Sequence, residues 1–190
     1  MADDLRERVL EASVQLLAEQ GLAGLSMREV ARRAGVSHQA PYHYFEDKAA
    51  IVAALVERGF TRLAERMEAA LGEGAPTRSL ERVGRAYVAF ALDEPVYFRL
   101  MFRPELTELE RFPAVETAGA RSFGLLQRLV EEKAGSGTEP TERDALVSMH
   151  WSLAHGLATL LIDGPLGSRY ADPEARVRHA ELVLELFSAR

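Results

Sequence analysis

Apolar residues recur at helical spacing along almost the whole chain, and this pattern limits the possible folds more than any other feature of the sequence. In the first stretch, Leu5, Val9 and Leu16 lie on one stripe of a predicted helix, and Gly21 favours the end of that helix. Alternating β-branched runs are missing, and no Asn-Gly or Asp-Gly pair lies between strand-like segments. The sequence therefore predicts an all-α fold.

Helix breakers and capping residues divide the chain into short and long predicted helices. Ser26 and Glu29 form a Ser-x-x-Glu capping box, and Asp47 is placed to cap the helix that follows it. Pro41 falls in the first turn of its predicted helix, where it removes at most one hydrogen bond, so we expect that helix to persist. The predicted helices span residues 3–20, 26–35, 38–45, 48–71, 77–92, 95–102, 113–133, 140–162 and 172–188.

The absence of cysteine from all 190 residues excludes disulfides, thiolate metal sites, iron–sulfur clusters and a cysteine nucleophile. His150 and His155 are spaced so that they point to different sides of a helix, and no carboxylate lies at metal-ligand spacing beside them. No Gly-x-Ser-x-Gly motif is present, so we predict no catalytic residue, metal or cofactor. The acidic start and the lack of an unbroken apolar run of membrane-spanning length predict a cytoplasmic protein.

Residues 26–44 carry the strongest functional pattern: a short capped helix, a tight turn at Gly35-Val36-Ser37, and a second short helix. This is the arrangement of a helix-turn-helix, whose second helix enters the DNA major groove. The second helix carries no acidic residue, and the whole segment has three arginines against Glu29. Because the chain has a net charge of −6, DNA binding must depend on this local placement of charge.

Several short stretches between Leu5 and Phe60 carry a family pattern. In order they are Glu19-Gln20-Gly21, Leu25-Ser26-Met27-Arg28-Glu29-Val30-Ala31, Ala34-Gly35-Val36-Ser37, Tyr42-His43-Tyr44-Phe45 and Asp47-Lys48. This region resembles the N-terminal DNA-binding domain of TetR-family transcriptional regulators, although many members have an aliphatic residue in place of Pro41. The resemblance implies a three-helix helix-turn-helix domain over residues 1–48, joined by a long helix, 48–71, to a C-terminal helical bundle within 49–190.

The resemblance also assigns DNA-binding roles to individual residues. Residues at the starts of two helices are implied to contact phosphates. The two tyrosines are implied either to contact phosphates through their hydroxyls or to pack against the groove wall. The histidines and Gln39 of the second short helix are implied to face base edges, where Gln pairs with adenine and His donates or accepts. Phe45 is interpreted as core, and Tyr44 as either contact or core. The predicted DNA-binding residues are Ser26, Arg28, Ser37, His38, Gln39, Tyr42, His43, Tyr44 and Lys48.

Two stretches of the second half are the aromatic-rich residues 96–102 and Trp151-Ser152-Leu153-Ala154-His155-Gly156. They are similar to the Trp-x-x-x-His-Gly subgroup of TetR-type C-terminal domains, which implies a ligand-binding and dimerisation domain. We expect a pocket for an apolar or amphipathic effector, with a filled aromatic core and a buried, hydrogen-bonded His155 as the alternatives. The predicted pocket residues are Tyr87, Phe90, Tyr97, Phe98, Met101, Phe102, Trp151 and His155.

The predicted helices 140–162 and 172–188 are apolar on more of their circumference than one buried stripe requires. Such helices suit a symmetric four-helix interface between two copies of the chain, and a monomer with a thick core is the alternative. The predicted interface residues are Leu146, Met149, Leu153, Leu157, Leu160, Val177, Val183, Leu184 and Phe187.

These patterns predict a homodimeric transcriptional repressor that reads a palindromic double-stranded DNA operator and is released by a small-molecule effector. In this hypothesis the effector shifts the helix at 95–102, and the long helix then tilts the DNA-binding domain. One alternative is a DNA-binding regulator with a filled C-terminal core, controlled by a protein partner or by abundance. The other alternative is an enzyme that uses the C-terminal bundle.

Overall fold

The computed structural model describes residues 2–72, 76–106 and 110–188. Within these ranges the chain forms helices and no β-strand, which confirms the predicted all-α class. Two units are distinguished: the first unit consists of Met1–Gly59 and Val96–Thr117, and the second unit consists of Phe60–Pro95 and Ala118–Arg190. The helix-turn-helix therefore shares its unit with a segment from the middle of the chain.

Most helices begin and end close to their predicted bounds. Three short elements differ from the prediction: 3-10 turns at Ala40–His43 and Pro104–Leu106, and a short helix at Pro165–Arg169. The α-helices are α1 Ala2–Gly24, α2 Met27–Ala34, α3 Lys48–Ala69, α4 Pro76–Asp93, α5 Pro95–Met101, α6 Pro113–Ala134, α7 Pro140–Ile162, α8 Pro165–Arg169 and α9 Pro173–Ser188.

α1 is interrupted at Gly21, where the sequence predicts the end of the helix. Gly21 has φ 63° and ψ −165°, a combination that is essentially restricted to glycine. A Cβ at this position would meet no atom within 4 Å, so the backbone angle rather than the available space requires glycine. Helical backbone resumes after Gly21 and continues to Gly24, beyond the predicted end.

α2 is the first helix of the predicted helix-turn-helix, and both of its ends are capped as expected. The Ser26 hydroxyl accepts a hydrogen bond from the Glu29 N–H at 3.2 Å. Gly35 follows the last turn in the left-handed conformation, with φ 66° and ψ 40°. Arg8 of α1 donates to the Ala34 carbonyl at 2.5 Å, so α1 is attached to the end of α2.

The predicted helix at residues 38–45 is wrong in type and length, because the structure has a 3-10 turn at Ala40–His43. Pro41 has no N–H to donate, and it disfavours the α conformation at Ala40. The N–H groups of Tyr42 and Tyr44 donate to carbonyls three residues back, at 3.1 and 3.0 Å. Pro41 therefore shortens the element that the sequence analysis expected to persist.

In the second unit, α4 packs against α7 and α9, and α7 also contacts α8 and α9. Val88 and Phe90 of α4 and Leu161 of α7 are fully buried. α8 lies where the sequence predicts only a break. Pro165 suits its first turn, since the first helical position has no use for an N–H.

α7 is the one helix in the described ranges that is long and apolar enough to cross a membrane by length and composition alone. Its most apolar 18-residue window has a mean hydropathy of 1.4, and 28% of that window is buried. Core helices of soluble proteins meet the same two criteria. α7 nevertheless leaves large apolar side chains such as Met149 and Leu160 exposed within a single chain, at 45% and 43%.

Candidate nucleic-acid interface and effector cluster

The turn after α2 buries its apolar residues and exposes its polar ones. Ala40, Pro41 and Phe45 are buried, and Tyr44 is half-buried. The rings of His38 and Tyr42 lie 6.0 Å apart on the outer side. The turn is therefore anchored from within, while its polar side chains face away from the core of the first unit. These exposed side chains, here termed the recognition row, are Ser37, His38, Gln39, Tyr42 and His43.

The basic residues near the recognition row differ in how they are paired. Arg32 binds the Glu29 carboxylate at 2.8 and 2.5 Å, and this hydrogen bonding holds the pKa of Glu29 below its usual value. Arg33 is likewise paired with a carboxylate of α1. Arg28 and Lys48 are exposed, and the ion pairs found in the described ranges do not include them. Their charges are therefore available to an anionic partner.

The start of α3 carries an ion pair that the sequence analysis missed. Asp47 caps α3 as predicted, because its carboxylate accepts from the Ala50 N–H at 2.9 Å. Arg111 donates to Asp47 at 2.8 Å and to Glu46 at 3.1 Å. The bond from the Ala50 N–H and then the bond from Arg111 lower the pKa of Asp47. No local pattern marks Arg111, since its partners lie far away in the sequence.

α5 packs closely on α3 within the first unit. A Cβ built on Gly59 of α3 would lie 2.7 Å from Met101 Sδ and 3.3 Å from Tyr97 Cβ, so only glycine fits without displacement. Arg58 binds Glu7 of α1 at 2.6 and 2.7 Å, and it also hydrogen-bonds Tyr97. Arg58 thus connects α1, α3 and α5, a role that the sequence analysis did not assign.

The second unit contains a hydrogen-bonded cluster built from the predicted Trp-x-x-x-His-Gly motif. Tyr87 of α4 hydrogen-bonds His155 Nδ1 at 2.9 Å, and Trp151 hydrogen-bonds Tyr87. Burial lowers the pKa of His155 and raises the pKa of Tyr87, so both groups are neutral at pH 7. The Trp151 ring also lies edge-on to Phe123, with centroids 5.7 Å apart.

The predicted pocket residues are divided between the two units. Tyr87, Phe90, Trp151 and His155 belong to the second unit, whereas Tyr97, Phe98, Met101 and Phe102 belong to the first. In the first unit, Tyr97, Phe98 and Met101 are buried and Phe102 is half-buried, with the two phenylalanine rings 5.3 Å apart. In the second unit Phe90 is fully buried and Trp151 is 39% exposed.

A cavity of about 320 Å³ lies between α4 and α9, and no predicted pocket residue lines it. Its volume is at the lower end of the range for small-molecule sites. The cavity exists because some of its lining side chains, among them Ala86 and Ala89, are small. Alanine residues form no sequence motif from which a cavity could be predicted. The lining residues are Ala70, Arg82, Arg85, Ala86, Val88, Ala89, Leu92, Val177, Ala180, Glu181 and Leu184.

The predicted interface residues differ in exposure. Met149, Leu160 and Val177 are 45%, 43% and 42% exposed. Leu157 and Leu184 are buried within the chain itself, so their place is in its own core. The remaining predicted residues are half-buried: Leu146, Leu153, Val183 and Phe187.

Two family descriptions match the chain. Residues 9–55 match "Bacterial regulatory proteins, tetR family", and residues 80–183 match "Tetracyclin repressor-like, C-terminal domain". The chain belongs to the TetR family. Because this is a family of transcriptional regulators, the predicted class of regulator rather than enzyme is confirmed. The more specific subgroup expectation remains a prediction.

This TetR-family protein is similar to several known chains. A solved protein with unknown function from Rhodococcus sp. RHA1 is 31% identical, with a TM-score of 0.73 and coverage of 95% of this chain and 94% of that one. A tetR-family regulatory protein from Rhodococcus RHA1 shares the fold at 21% identity, with a TM-score of 0.76 and 95% of each chain covered. The HTH-type transcriptional repressor Rv3405c of Mycobacterium tuberculosis is 29% identical over 56% of this chain and 57% of its own length. The chain thus spans about half the length of the first curated relatives it matches.

Proposed function

We propose that this TetR-family protein is a DNA-binding transcriptional repressor that acts as a homodimer on a palindromic operator. The observation that carries the proposal is the recognition row, an exposed and acid-free surface held on buried apolar residues. DNA phosphates repel carboxylates, so such a surface suits DNA even on a chain of net charge −6.

The proposed contacts separate into two kinds. Arg28, Lys48 and the Ser26 hydroxyl bind phosphates and fix the orientation of the turn, without reading sequence. Gln39 and His43 read base edges from the recognition row, because amide and imidazole groups can hydrogen-bond the edges of purines. Tyr44 is half-buried and contributes to the wall of the contact rather than to base reading.

The exposed face of α7 supports the homodimer. Only 28% of the most apolar 18-residue window of α7 is buried. Covering the exposed apolar side chains would be favourable, because each Å² of apolar surface removed from water contributes about 25 cal/mol. Met149, Leu153 and Leu160 lie along this face and are covered by a second copy in the proposed dimer. A two-fold interface also presents two recognition rows with the symmetry of a palindrome. Leu157 and Leu184 are left out of the proposed interface because they are buried in the chain's own core.

We further propose that a small apolar or amphipathic effector binds at the Trp151–Tyr87–His155 cluster, and that the C-terminal half belongs to the Trp-x-x-x-His-Gly subgroup. The indole N–H of Trp151 is only a donor, so it donates to the Tyr87 oxygen. A second hydrogen bond, 2.9 Å long, joins the Tyr87 hydroxyl to His155 Nδ1 and completes the chain of three side chains. Such a polar group within an apolar helical unit is typical of a small-molecule site.

Release from DNA requires that the effector bind the DNA-free state more tightly, by a few kcal/mol. In the first unit, α5 is placed to pass a movement to α3, because it packs on Gly59 and hydrogen-bonds Arg58. The alternative regulator has a filled second unit and responds to a protein partner or to its own abundance.

Operator capture tests the DNA-binding proposal. Fragmented DNA from the source genome is incubated with the protein, and the retained fragments are sequenced. The test variant combines His43→Ala with Lys48→Ala, and the matched control combines His179→Ala with Lys133→Ala, which lie in the second unit. We expect the wild type and the control to enrich one shared palindrome and the test variant to lose it. Equal enrichment by all three proteins would refute the proposed interface.

Trp151 is the only tryptophan, so its fluorescence tests the effector proposal. Decanol and decanoate serve as uncharged and anionic amphipathic probes. We expect a shift in emission with the wild type and with Ala89→Phe, which fills the α4–α9 cavity, but not with His155→Ala. A shift lost only in Ala89→Phe would place the probe in the cavity instead. If neither probe changes emission or operator affinity, the filled-core alternative is favoured.

A further inference from the structure

Lys48, the first residue of α3 and a proposed phosphate contact, directly follows two carboxylates. Lys48 is exposed, and the side chains of Glu46 and Asp47 are 85% and 43% exposed. These three residues alone carry one positive and two negative charges. Asp47 is also the cap of α3, so its carboxylate serves the fold at the place where a DNA phosphate would meet Lys48.

Arg111 compensates this charge from a distant part of the sequence. Its guanidinium donates to Glu46 at 3.1 Å and to Asp47 at 2.8 Å, so one cation binds both carboxylates. The guanidinium also lies 4.8 Å from the centroid of the Phe112 ring, which restricts where it points. With Arg111 in place, the start of α3 is neutral overall.

We propose that Arg111 is a positioning residue for DNA binding, which neutralises Glu46 and Asp47 so that Lys48 can bind a DNA phosphate. The inference rests on the proposed function, in that it takes Lys48 as a phosphate contact. Arg111 itself need not touch DNA. It removes the repulsion that two carboxylates beside Lys48 would exert on the phosphate backbone.

This arrangement gives the segment Val96–Thr117 a direct effect on the DNA-binding surface. The segment contains Arg111 and all of α5 except Pro95, and it lies in the same unit as the recognition row. Any movement that withdraws Arg111 leaves Glu46, Asp47 and Lys48 together with one net negative charge. DNA affinity then falls through electrostatics, without a change in the recognition row itself.

The test measures binding of the captured operator by fluorescence anisotropy over a series of salt concentrations. We expect Arg111→Gln to bind about fivefold more weakly at roughly 0.1 M salt, and the difference to shrink as salt screens the carboxylates. Arg121→Gln is the matched control, because Arg121 also pairs with a glutamate of α3, Glu68, but in the second unit. We expect this control to bind like the wild type.

Rescue variants separate charge from structure. Glu46→Gln with Asp47→Asn removes both carboxylates, and asparagine still caps α3. Added to Arg111→Gln, this pair is expected to restore wild-type affinity or better. Unchanged affinity in Arg111→Gln, or a loss that the neutral pair does not restore, would overturn the proposal. Lys48→Ala distinguishes a failure of this inference from a failure of the proposed function. If Lys48 does not contact DNA, Lys48→Ala leaves operator binding unchanged, whatever the result for Arg111→Gln.

Discussion

Gly59→Ala is expected to destabilise the protein, although alanine is normally the better helix former. Gly59 lies inside α3 at the point where α5 packs against it. An added Cβ would lie 2.7 Å from Met101 Sδ, 2.9 Å from Met101 Cγ and 3.3 Å from Tyr97 Cβ. Because Met101 and Tyr97 are buried, relief requires a new rotamer in a filled site or a small shift of α5.

Two opposing effects set the magnitude. Replacing glycine by alanine inside a helix contributes about 1 kcal/mol of stability, whereas overpacking a core costs about 1–3 kcal/mol. The net loss is about 1 kcal/mol, which lowers the melting temperature by about 2–4 °C for a chain of this size. Gly119 in α6 is the matched control, since its Cβ would meet the Phe60 ring at an ordinary 3.7 Å. Gly119→Ala should therefore raise the melting temperature.

Thermal unfolding followed by far-UV circular dichroism measures both variants. A double variant adds Met101→Ala, which removes the two atoms that the new Cβ would overlap. In that background Gly59→Ala should lose its cost, so the two substitutions should not be additive. If Gly59→Ala and Gly119→Ala raise the melting temperature equally, α5 does not pack on α3 as described and the reasoning is refuted.

Three further predictions follow from the caps, the buried cluster and α7. Ser26→Ala should lower the free energy of unfolding by about 1 kcal/mol because α2 loses its cap, whereas Ser26→Asp should keep the stability and weaken operator binding. Equal melting temperatures for the wild type and both variants would argue against the cap. Burial lowers the pKa of His155, so the unfolded chain binds protons first as the pH falls through about 6.5. Stability should therefore decline between about pH 7 and about pH 5, and less steeply in His155→Asn, and parallel pH profiles would contradict this. Met149→Glu with Leu160→Glu should convert the dimer to a monomer in analytical ultracentrifugation while Leu71→Glu stays dimeric, and an unchanged mass in the double variant would argue against the α7 interface.

The helix-turn-helix could be predicted because its signals are local. Ser26, Gly35 and Asp47 each satisfy a backbone requirement within a few residues, so the sequence alone places the ends of α2 and the start of α3. Pro41 is also a local signal, but its effect depends on whether the backbone around it forms α-helical hydrogen bonds, four residues apart, or 3-10 hydrogen bonds, three residues apart. The structure shows three-residue spacing there, which turns the expected helix into a 3-10 turn.

The unpredicted parts of the site depend on contacts between distant residues. Arg111 meets Asp47 and Arg58 meets Glu7 only after the chain has folded, and a lone arginine has no preferred partner in the sequence. The α4–α9 cavity arises from small side chains on two separate helices, such as Ala89 and Ala180. The pocket is predicted instead from aromatic residues at helical spacing. Most of those in the first unit are buried in its core.

Operator geometry provides the most direct test of the central claim, that two recognition rows of a homodimer read two half-sites. The affinity for the captured palindrome is compared with that for the same palindrome carrying an insertion of about five base pairs at its centre, which is half a helical turn. We expect the complex with the insertion to be at least tenfold weaker, by about 1.4 kcal/mol or more, because its half-sites face opposite sides of the duplex. Equal affinity for the two DNA molecules would show that the protein does not read two half-sites as a homodimer.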